Sequence, residues 1–234
     1  YRRARALIDE ATATERAAKK LSAGWEAEIG LAIEVAFPTA LMLECLQGFG
    51  AESPHTRIEL IESVLGGTTE ALLTGQADIA VTGILPAGFA GEFLMPIRFV
   101  PAAHPEHALH KLGRPVTKQD MRMHRQLVVR ESSAKRATKL RLEADQRWTV
   151  THMATSIEAS GKGYGYGWYP EYRIAEAVAA GRLKALPMRE GGESFAQLYL
   201  VYADRETAGP GVLRLAAIIR ELADAACIKE RGKQ

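Results

Sequence analysis

The stretch RIELIESVLGGTTEALLTGQADIAVT, residues 57–82, decides the fold class of this chain. It begins with a strand pattern over 57–62 and continues through Gly66-Gly67-Thr68 into a short helix that ends at Gly75. It closes on the compact apolar run 78–82, which is typical of a strand buried on both faces of a parallel sheet. Strand, helix and strand in this order predict an α/β fold with crossover connections.

The residues before this stretch repeat the pattern. Ile29 to Val35 form a strand, and Phe37-Pro38-Thr39 turns it into a helix with apolar residues at helical spacing up to Phe49. After the stretch, residues 93–100 form an extended segment that Pro96 breaks and Pro101 stops.

A second set of strands and helices follows, of the same type but not of the same sequence. Thr117 and Asp120 resemble a capping box that opens a short helix, Thr155-Ser156 offers hydroxyls at the start of another, and Pro170 opens a third that Gly181 closes. Strands are predicted at 126–130, 148–150, 164–168, 183–186 and 196–202, and a final helix at 210–226. We therefore expect two α/β lobes joined by crossings near Pro101 and Gly191-Gly192, rather than one continuous sheet.

Residues 1–22 predict a single helix that stops at Gly24, with a thin heptad seam of mostly small residues. Such a helix needs a partner chain or a neighbouring domain, although an ordinary amphipathic helix packed on its own domain is the alternative. Residues 1–20 carry six basic and three acidic side chains, a net charge of +3, so the chain's total of +2 leaves −1 for the rest. The charge of that remainder predicts no nucleic-acid surface and favours a small or overall uncharged ligand.

Composition bounds the class of protein. The 234 residues, 47% hydrophobic and 25% charged, match a soluble globular protein of one large domain or two interleaved lobes. The apolar runs are too short to cross a bilayer, and no secretory signal follows the basic start, which opens on Tyr1 and so suggests that sequence upstream has been removed. Cys45 and Cys227 lie in apolar helical patterns as small buried hydrophobes, so a reducing cytoplasm is the expected compartment.

Motifs for catalysis and metal binding are weak. Residues 161–167, GKGYGYG, lack the ending of a phosphate loop. They favour the end of a helix followed by a strand whose glycines let a neighbouring backbone segment come close. His104, His107 and His110 recur at steps of three, but Pro105 disfavours the helix that would align them, so a solvated turn is the better interpretation. We expect neither an enzyme nor a metal or cofactor site.

Two helix starts in the sequence could hold a small anion. The residues at 37–39 and at 155–156 would present free N–H groups beyond the carboxyl ends of strands, where open α/β sheets bind ligands. That Thr39, Thr155 and Ser156 only cap their helices is an equally good interpretation.

The order and spacing of several short motifs resemble the effector-binding part of LysR-type transcriptional regulators, with part of the linker helix. LLTGQADIAV at 72–81 is similar to the family's "L..G..DLAI", His104-Pro105 to its "HPL", residues 163–170 to its "G.G....P", and Gly181-Arg-Leu183 to its "G.L". The resemblance implies an α/β fold of two Rossmann-like lobes, periplasmic-binding-protein-like of type 2, preceded by a linker or dimerisation helix at 1–24. It places the first lobe at 25–101 and 190–234 and the second at 102–189.

The resemblance also implies a function. A small effector would bind between the lobes of a cytoplasmic homodimer or homotetramer and change how an attached winged helix-turn-helix engages DNA. By position, the effector-contacting residues would be Phe37, Pro38, Thr39, Gly83, Ile84, Arg130, Ser132, Ser133 and Thr155.

The sequence departs from the family pattern in two places. Val35-Ala36-Phe37 replaces a small polar residue after the first strand, and His107 stands where an apolar residue is common. Helix N-termini favour a carboxylate effector, and Phe37 favours an apolar or aromatic one. A solute-binding receptor of a transport system shares the fold but needs a signal or lipid anchor, and an enzyme on this fold needs an acid–base pair in the cleft that the sequence does not supply.

Overall fold

The structure, a computed structural model, describes residues 25–133 and 144–231. The predicted linker helix at 1–24 lies outside the described residues, as does most of the basic stretch that follows Glu131. The strands are β1 (Glu28–Glu34), β2 (Arg57–Ser63), β3 (Ile79–Thr82), β4 (Gly91–Ala103), β5 (Gln126–Val129), β6 (Arg147–Val150), β7 (Tyr166–Pro170), β8 (Lys184–Ala185) and β9 (Ser194–Tyr202). The α-helices are α1 (Thr39–Glu52), α2 (Gly66–Leu73), α3 (Lys118–Arg122), α4 (Met153–Gly161), α5 (Glu171–Ala179) and α6 (Pro210–Arg231), and a 3-10 helix spans Ala108–Lys111.

The strands pair in the order β2-β1-β3-β9-β4-β7-β5-β6, and β8 pairs with β4. Strands β1, β2 and β3 are parallel to one another, as are β5, β6 and β7, and β4 and β9 run antiparallel between the two parallel sets. We call β1–β3, β9 and the start of β4 the first half of the sheet, and the end of β4 with β5–β8 the second half.

Strand β4 makes the hydrogen bonding of the sheet continuous. Its residues Gly91–Phe99 pair with β9, and Phe99–Ala103 pair with β7. The expectation that the strands do not form one continuous sheet was therefore wrong, because the two halves share this strand. The prediction that Pro101 stops the strand was wrong as well. Prolines lack the N–H of a ladder bond, but they fit a strand wherever that N–H is not needed, and Pro96 lies just past a register shift in the pairing with β9.

Buried side chains form separate clusters in the two halves. The largest cluster packs α1 and α6 against the first half, around Phe37, Phe49 and Leu215. Two clusters of the second half gather around Tyr166 and around Tyr169. Each half thus has its own hydrophobic core, which is the arrangement that lets two halves move as units.

Several local predictions are confirmed. Thr117 and Asp120 form a reciprocal capping box at α3, and Arg114 pairs with the same carboxylate. The glycine-rich segment ends α4 at Gly161 and leads into β7, and a Cβ on Gly165 would contact the Arg125 carbonyl. Cys45 is buried as expected, whereas Cys227 is only half-buried.

The histidines at 104, 107 and 110 do lie in a turn, as predicted, but the turn is only partly solvated, with Glu106 exposed and the three histidines half-buried. His107 is half-buried and caps the 3-10 helix, with its Nδ1 accepting from the Leu109 N–H at 3.2 Å. In residues 25–133 and 144–231, no group of three or more His, Cys, Asp or Glu side chains is placed to hold a metal ion. No helix in those ranges is long and apolar enough to cross a membrane.

Candidate functional site

The two halves meet where their parallel strands end. The loop after β2 and the loop after β5 exchange two hydrogen bonds, from the Ser132 N–H to the Val64 carbonyl at 3.1 Å and from the Val64 N–H to Ser132 Oγ at 3.0 Å. The carboxyl ends of parallel strands are where α/β proteins bind ligands. We call the residues gathered there the junction: Glu34, Ser63–Gly67, Gly83 and Glu131–Ser133.

Two carboxylates of the junction bind consecutive backbone N–H groups at the start of α2. Glu34 Oε2 accepts from the Leu65 N–H at 2.7 Å, and Glu131 Oε1 accepts from the Gly66 N–H at 3.2 Å. Glu131 Oε1 also accepts from the Ser133 hydroxyl at 2.9 Å. Free N–H groups and the positive end of the helix dipole favour negative charge at this position, so the protein's own side chains supply an anion there.

Glu34 is a buried carboxyl group with an altered acidity. Its side chain is 5% exposed, and burial raises its pKa to about 7. The N–H groups of Leu65, Val35 and Ala36 oppose the rise by binding the charged form, while the nearby charge of Glu131 adds to it. The group therefore changes its charge close to neutral pH, which is unusual for a glutamate.

The backbone at the start of α2 is strained. Leu65 adopts φ 54° and ψ −115°, and it is the one non-glycine residue with a positive φ in the described part of the chain. The next residues must be small, because a Cβ on Gly67 would lie 2.7 Å from the Ser132 Cβ and 2.8 Å from the Ser63 Cβ. Strained backbone of this kind persists where the surrounding structure imposes it, and it is common at ligand sites.

A second connection joins α5 to the turn after β1. The Tyr172 hydroxyl donates to the carbonyls of Ala36 and Phe37, both at 3.1 Å, and Arg173 Nη2 donates to the Val35 carbonyl at 3.2 Å. Burial raises the pKa of Tyr172, so its hydroxyl stays protonated and keeps both bonds.

The helix starts singled out in the sequence are not capped by the hydroxyls expected there. The N-cap of α1 is Pro38 and that of α4 is His152, neither with a side-chain cap bond. Thr39 and Thr155 lie inside the first turn, beyond the position from which a hydroxyl reaches the free N–H groups. Within residues 25–133 and 144–231, the buried Thr39 Oγ1 has no hydrogen-bond partner. The capping interpretation of these residues was therefore wrong.

The structure brings part of the predicted site together at the junction. Ser132 and Ser133 bind there as described, and Gly83 lies beside Glu34, since a Cβ on Gly83 would be 4.0 Å from Glu34 Oε2. The remaining predicted residues border other surfaces. Ile84, Arg130 and Thr155 are exposed, Pro38 and Thr39 are half-buried at the start of α1, and the Phe37 side chain is buried in the core of the first half.

The placement of Phe37 removes the basis for an aromatic effector. Its ring is 2% exposed and packs with the core cluster, so only its backbone faces α5. Glu34 was not among the residues predicted for the site, although the sequence carried a signal, because Glu34 is the single charged residue in the apolar run 29–37. Nothing in the sequence marked Glu131 or Tyr172, since their roles depend on contacts between residues far apart in the chain.

Comparisons with known proteins agree on one family. Residues 22–224 match the family model described as the LysR substrate binding domain. The Escherichia coli K12 protein called an uncharacterized HTH-type transcriptional regulator, YeeY, is 30% identical over 176 residues, which cover 72% of this chain and 57% of that protein. The chain thus spans about half the length of the curated relatives it matches.

Solved structures show the same fold. The C-terminal domains of a LysR family protein from Agrobacterium tumefaciens align with a TM-score of 0.69 at 21% identity, covering 86% of this chain and 98% of that one. The effector-binding domain of QuiR in complex with shikimate aligns with a TM-score of 0.66 at 14% identity, covering 86% and 99%. These likenesses confirm the predicted α/β fold, periplasmic-binding-protein-like of type 2.

Proposed function

This chain belongs to the LysR substrate-binding domain family, and on that premise we propose that it senses a small effector for a LysR-type transcriptional regulator. The observation that carries the proposal is the pair of hydrogen bonds between Val64 and Ser132, which joins the two halves at the carboxyl ends of their parallel strands. A molecule bound at this place contacts both halves at once. Its binding energy then depends on how the halves are arranged.

The proposed mechanism is a shift between two arrangements of the halves. A ligand that binds the closed arrangement more tightly than the open one shifts the equilibrium by that difference in affinity and by no more. We propose 25–101 with 190–234 as the first lobe and 102–189 as the second. The separate hydrophobic clusters of the two halves support this division.

The proposed effector contacts are the family positions that lie in the junction, together with those that the structure places outside it. Gly83, Ser132 and Ser133 lie in it, and Ile84, Arg130 and Thr155 offer exposed groups from the ends of β3 and β5 and from α4. Pro38, Thr39 and the Phe37 backbone complete the proposed site from the start of α1. The QuiR domain, whose structure holds shikimate, supports a small-molecule site in a protein of this fold.

The rest of the regulator is a proposal drawn from the relatives. We propose that a winged helix-turn-helix elsewhere in the protein reads DNA, that residues 1–24 link it to the sensing domain, and that the regulator acts in the cytoplasm as a homodimer or homotetramer. Support comes from YeeY, which is named as an HTH-type regulator.

A ligand screen followed by two substitutions tests the proposal. A ligand that binds only the native chain raises its melting temperature, so a thermal-shift screen of small polar metabolites, carboxylates and aromatic acids included, should find one. Thr155→Ala should then weaken binding of that ligand by calorimetry without changing the melting temperature of the free chain. Thr149→Ala, an exposed threonine on β6, is the matched control. An unchanged Kd in Thr155→Ala would show that Thr155 is not part of the site. If the ligand does not change how the full-length regulator binds DNA, the proposed sensing role is wrong.

A further inference from the structure

The charge at the junction bears on the chemical class of the effector, and the argument rests on the proposed sensing function. The N–H groups of Leu65 and Gly66, which could receive an anionic ligand, already bind Glu34 and Glu131. An anionic group brought to the start of α2 has to displace these carboxylates and then lies beside both of them. Like charges at such range in a buried site repel strongly.

Among the residues that the structure describes, no Lys or Arg forms an ion pair with Glu34. Its stabilising contacts are backbone N–H groups, and no Lys or Arg is among the largest influences on its acidity. The guanidinium of Arg173 approaches from α5 but donates to the Val35 carbonyl, while Glu131, from the loop after β5, adds a second negative charge. A buried carboxylate without a counter-ion attracts a positively charged ligand.

Gly83 leaves space next to the Glu34 carboxylate. A Cβ at this position would meet nothing nearer than Leu198 Cδ2 at 3.7 Å and Glu34 Oε2 at 4.0 Å. Because glycine has no side chain, Gly83 does not cover Glu34 Oε2 on this side.

A separate observation indicates a missing hydrogen-bond partner at the junction. Ser63, the last residue of β2, is 4% exposed, and its hydroxyl has no hydrogen-bond partner among the residues that the structure describes. Ser63 Oγ lies 3.2 Å from where a Cβ on Gly67 would be, so it faces the contact between the two halves. Buried hydroxyls are satisfied in most proteins, and an unsatisfied one at a ligand site can bind the ligand.

We propose that the effector carries a protonated nitrogen, as an amine or amidine, which binds beside Gly83 with Glu34 as its charge partner. Glu34 is then the residue that selects the effector by charge. Glu34→Gln keeps an oxygen that can accept from the Leu65 N–H, so the variant removes the charge and preserves the fold.

Matched probes of equal skeleton and opposite charge test this inference. Benzylamine is compared with benzoate, and 1,4-diaminobutane with succinate, by thermal shift and then by calorimetry on the full chain at millimolar ligand. The amines should raise the melting temperature, and Glu34→Gln should weaken their binding at least about tenfold. Glu62→Gln, an exposed glutamate on the neighbouring strand β2, removes the same charge outside the junction and should bind the amines as the wild type does.

The outcomes separate this inference from the proposed function. If only the carboxylates bind, and Thr155→Ala weakens them, effector sensing stands and the charge inference is overturned. If the amines bind equally to wild type and Glu34→Gln, Glu34 does not select the ligand. If neither series binds, the junction lacks the affinity for positive charge that the inference requires.

Discussion

The imidazole of His107 packs against that of His124, with 5.1 Å between the ring centroids, while its Nδ1 accepts from the Leu109 N–H. Burial lowers the pKa of His107 from 6.5 to about 4, and His124, His110 and His104 lower it further when they are charged. Protonation at Nδ1 would also remove the acceptor that caps the 3-10 helix. The native chain therefore holds His107 neutral.

We expect the contribution of His107 to the free energy of unfolding to fall as the pH drops from 6.5 toward 4, while Glu34, whose pKa is raised, contributes in the opposite direction. In this window the unfolded chain binds a proton at His107 that the native chain does not, so the stability present above 6.5 is lost as the pH approaches the lowered pKa. Because the side chain is partly exposed, the loss is about 1–2 kcal/mol. Urea unfolding of the wild type and of a His107 variant at the two ends of the window measures this loss as the difference between the two chains.

The variant His107→Asn distinguishes the effect of protonating His107 from the effect of losing the packing of its ring. Asparagine can accept the same capping bond but does not titrate, so the variant should be less stable at pH 6.5 and lose less stability toward pH 4. His55→Asn, at an exposed position, should keep the wild-type slope. An unchanged slope in His107→Asn assigns the pH dependence to other groups.

At the scale of single residues, the sequence predicted some residues that lie close together, while their contact with an effector stays a prediction. Gly83, Ser132 and Ser133 were placed at the site by family likeness, and they do lie at the junction. Phe37 was expected to face the ligand, but a large aromatic ring gains more free energy by joining the core than by lining a polar junction. The environment of Glu34 could not be predicted, because burial and the contact with Glu131 arise from tertiary structure.

Replacing glycine by alanine should have opposite effects on stability at two positions, one in a strand and one in a helix. A Cβ on Gly30, in β1, would overlap the Gln76 carbonyl and lie 3.0 Å from the Ala77 Cα, where the Asp78 N–H also binds the Gly30 carbonyl at 2.8 Å. A Cβ on Gly50, in α1, meets nothing within 4 Å.

Gly30→Ala should destabilise the chain by about 3 kcal/mol, because the backbone leading into β3 must move away. Gly50→Ala should stabilise it by about 0.5–1 kcal/mol, because alanine has the better helix propensity and loses less backbone entropy. Chemical denaturation of both variants beside the wild type measures the two changes. Equal effects would contradict the close approach of β1 to the loop before β3.

At the scale of elements, periodicity located almost every strand and helix, because buried faces impose their repeat on the sequence. The errors lie where local signals compete with long-range pairing. Pro101 predicted a strand end, but pairing with β7 carries β4 on to Ala103. Helix α4 begins at Met153, before the hydroxyls expected to start it, with His152 as its N-cap.

At the scale of the molecule, the order of the strands could not be read from the chain. The antiparallel pair β4–β9 joins segments about a hundred residues apart, and nothing local marks that pairing. Because of this pairing, strand β4 belongs to both halves of the sheet, and each half keeps its own hydrophobic core. Among the described residues, polar contacts between the halves include the bonds of Ser132 with Val64, the carboxylates on α2, and the bonds that Tyr172 and Arg173 donate to the turn after β1.

Removing these polar contacts should open the molecule. Tyr172→Phe deletes the hydroxyl that donates to Ala36 and Phe37 but keeps the ring, and Ser132→Ala deletes the acceptor for the Val64 N–H. Each change removes about 1 kcal/mol from the contact between the halves while leaving both hydrophobic cores intact. The radius of gyration from small-angle X-ray scattering should therefore increase, and most in the double variant.

Tyr164→Phe is the control for this prediction, since Tyr164 is 50% exposed and packs its ring on Trp148 at the surface of the second half. It should leave the radius of gyration unchanged. A ligand that binds both halves should return the double variant to the wild-type radius, because it supplies contacts only the closed arrangement offers. A double variant as compact as the wild type without ligand would mean that the shared strand β4, rather than the polar contacts, fixes the angle between the halves, and effector binding could then not act by closing them.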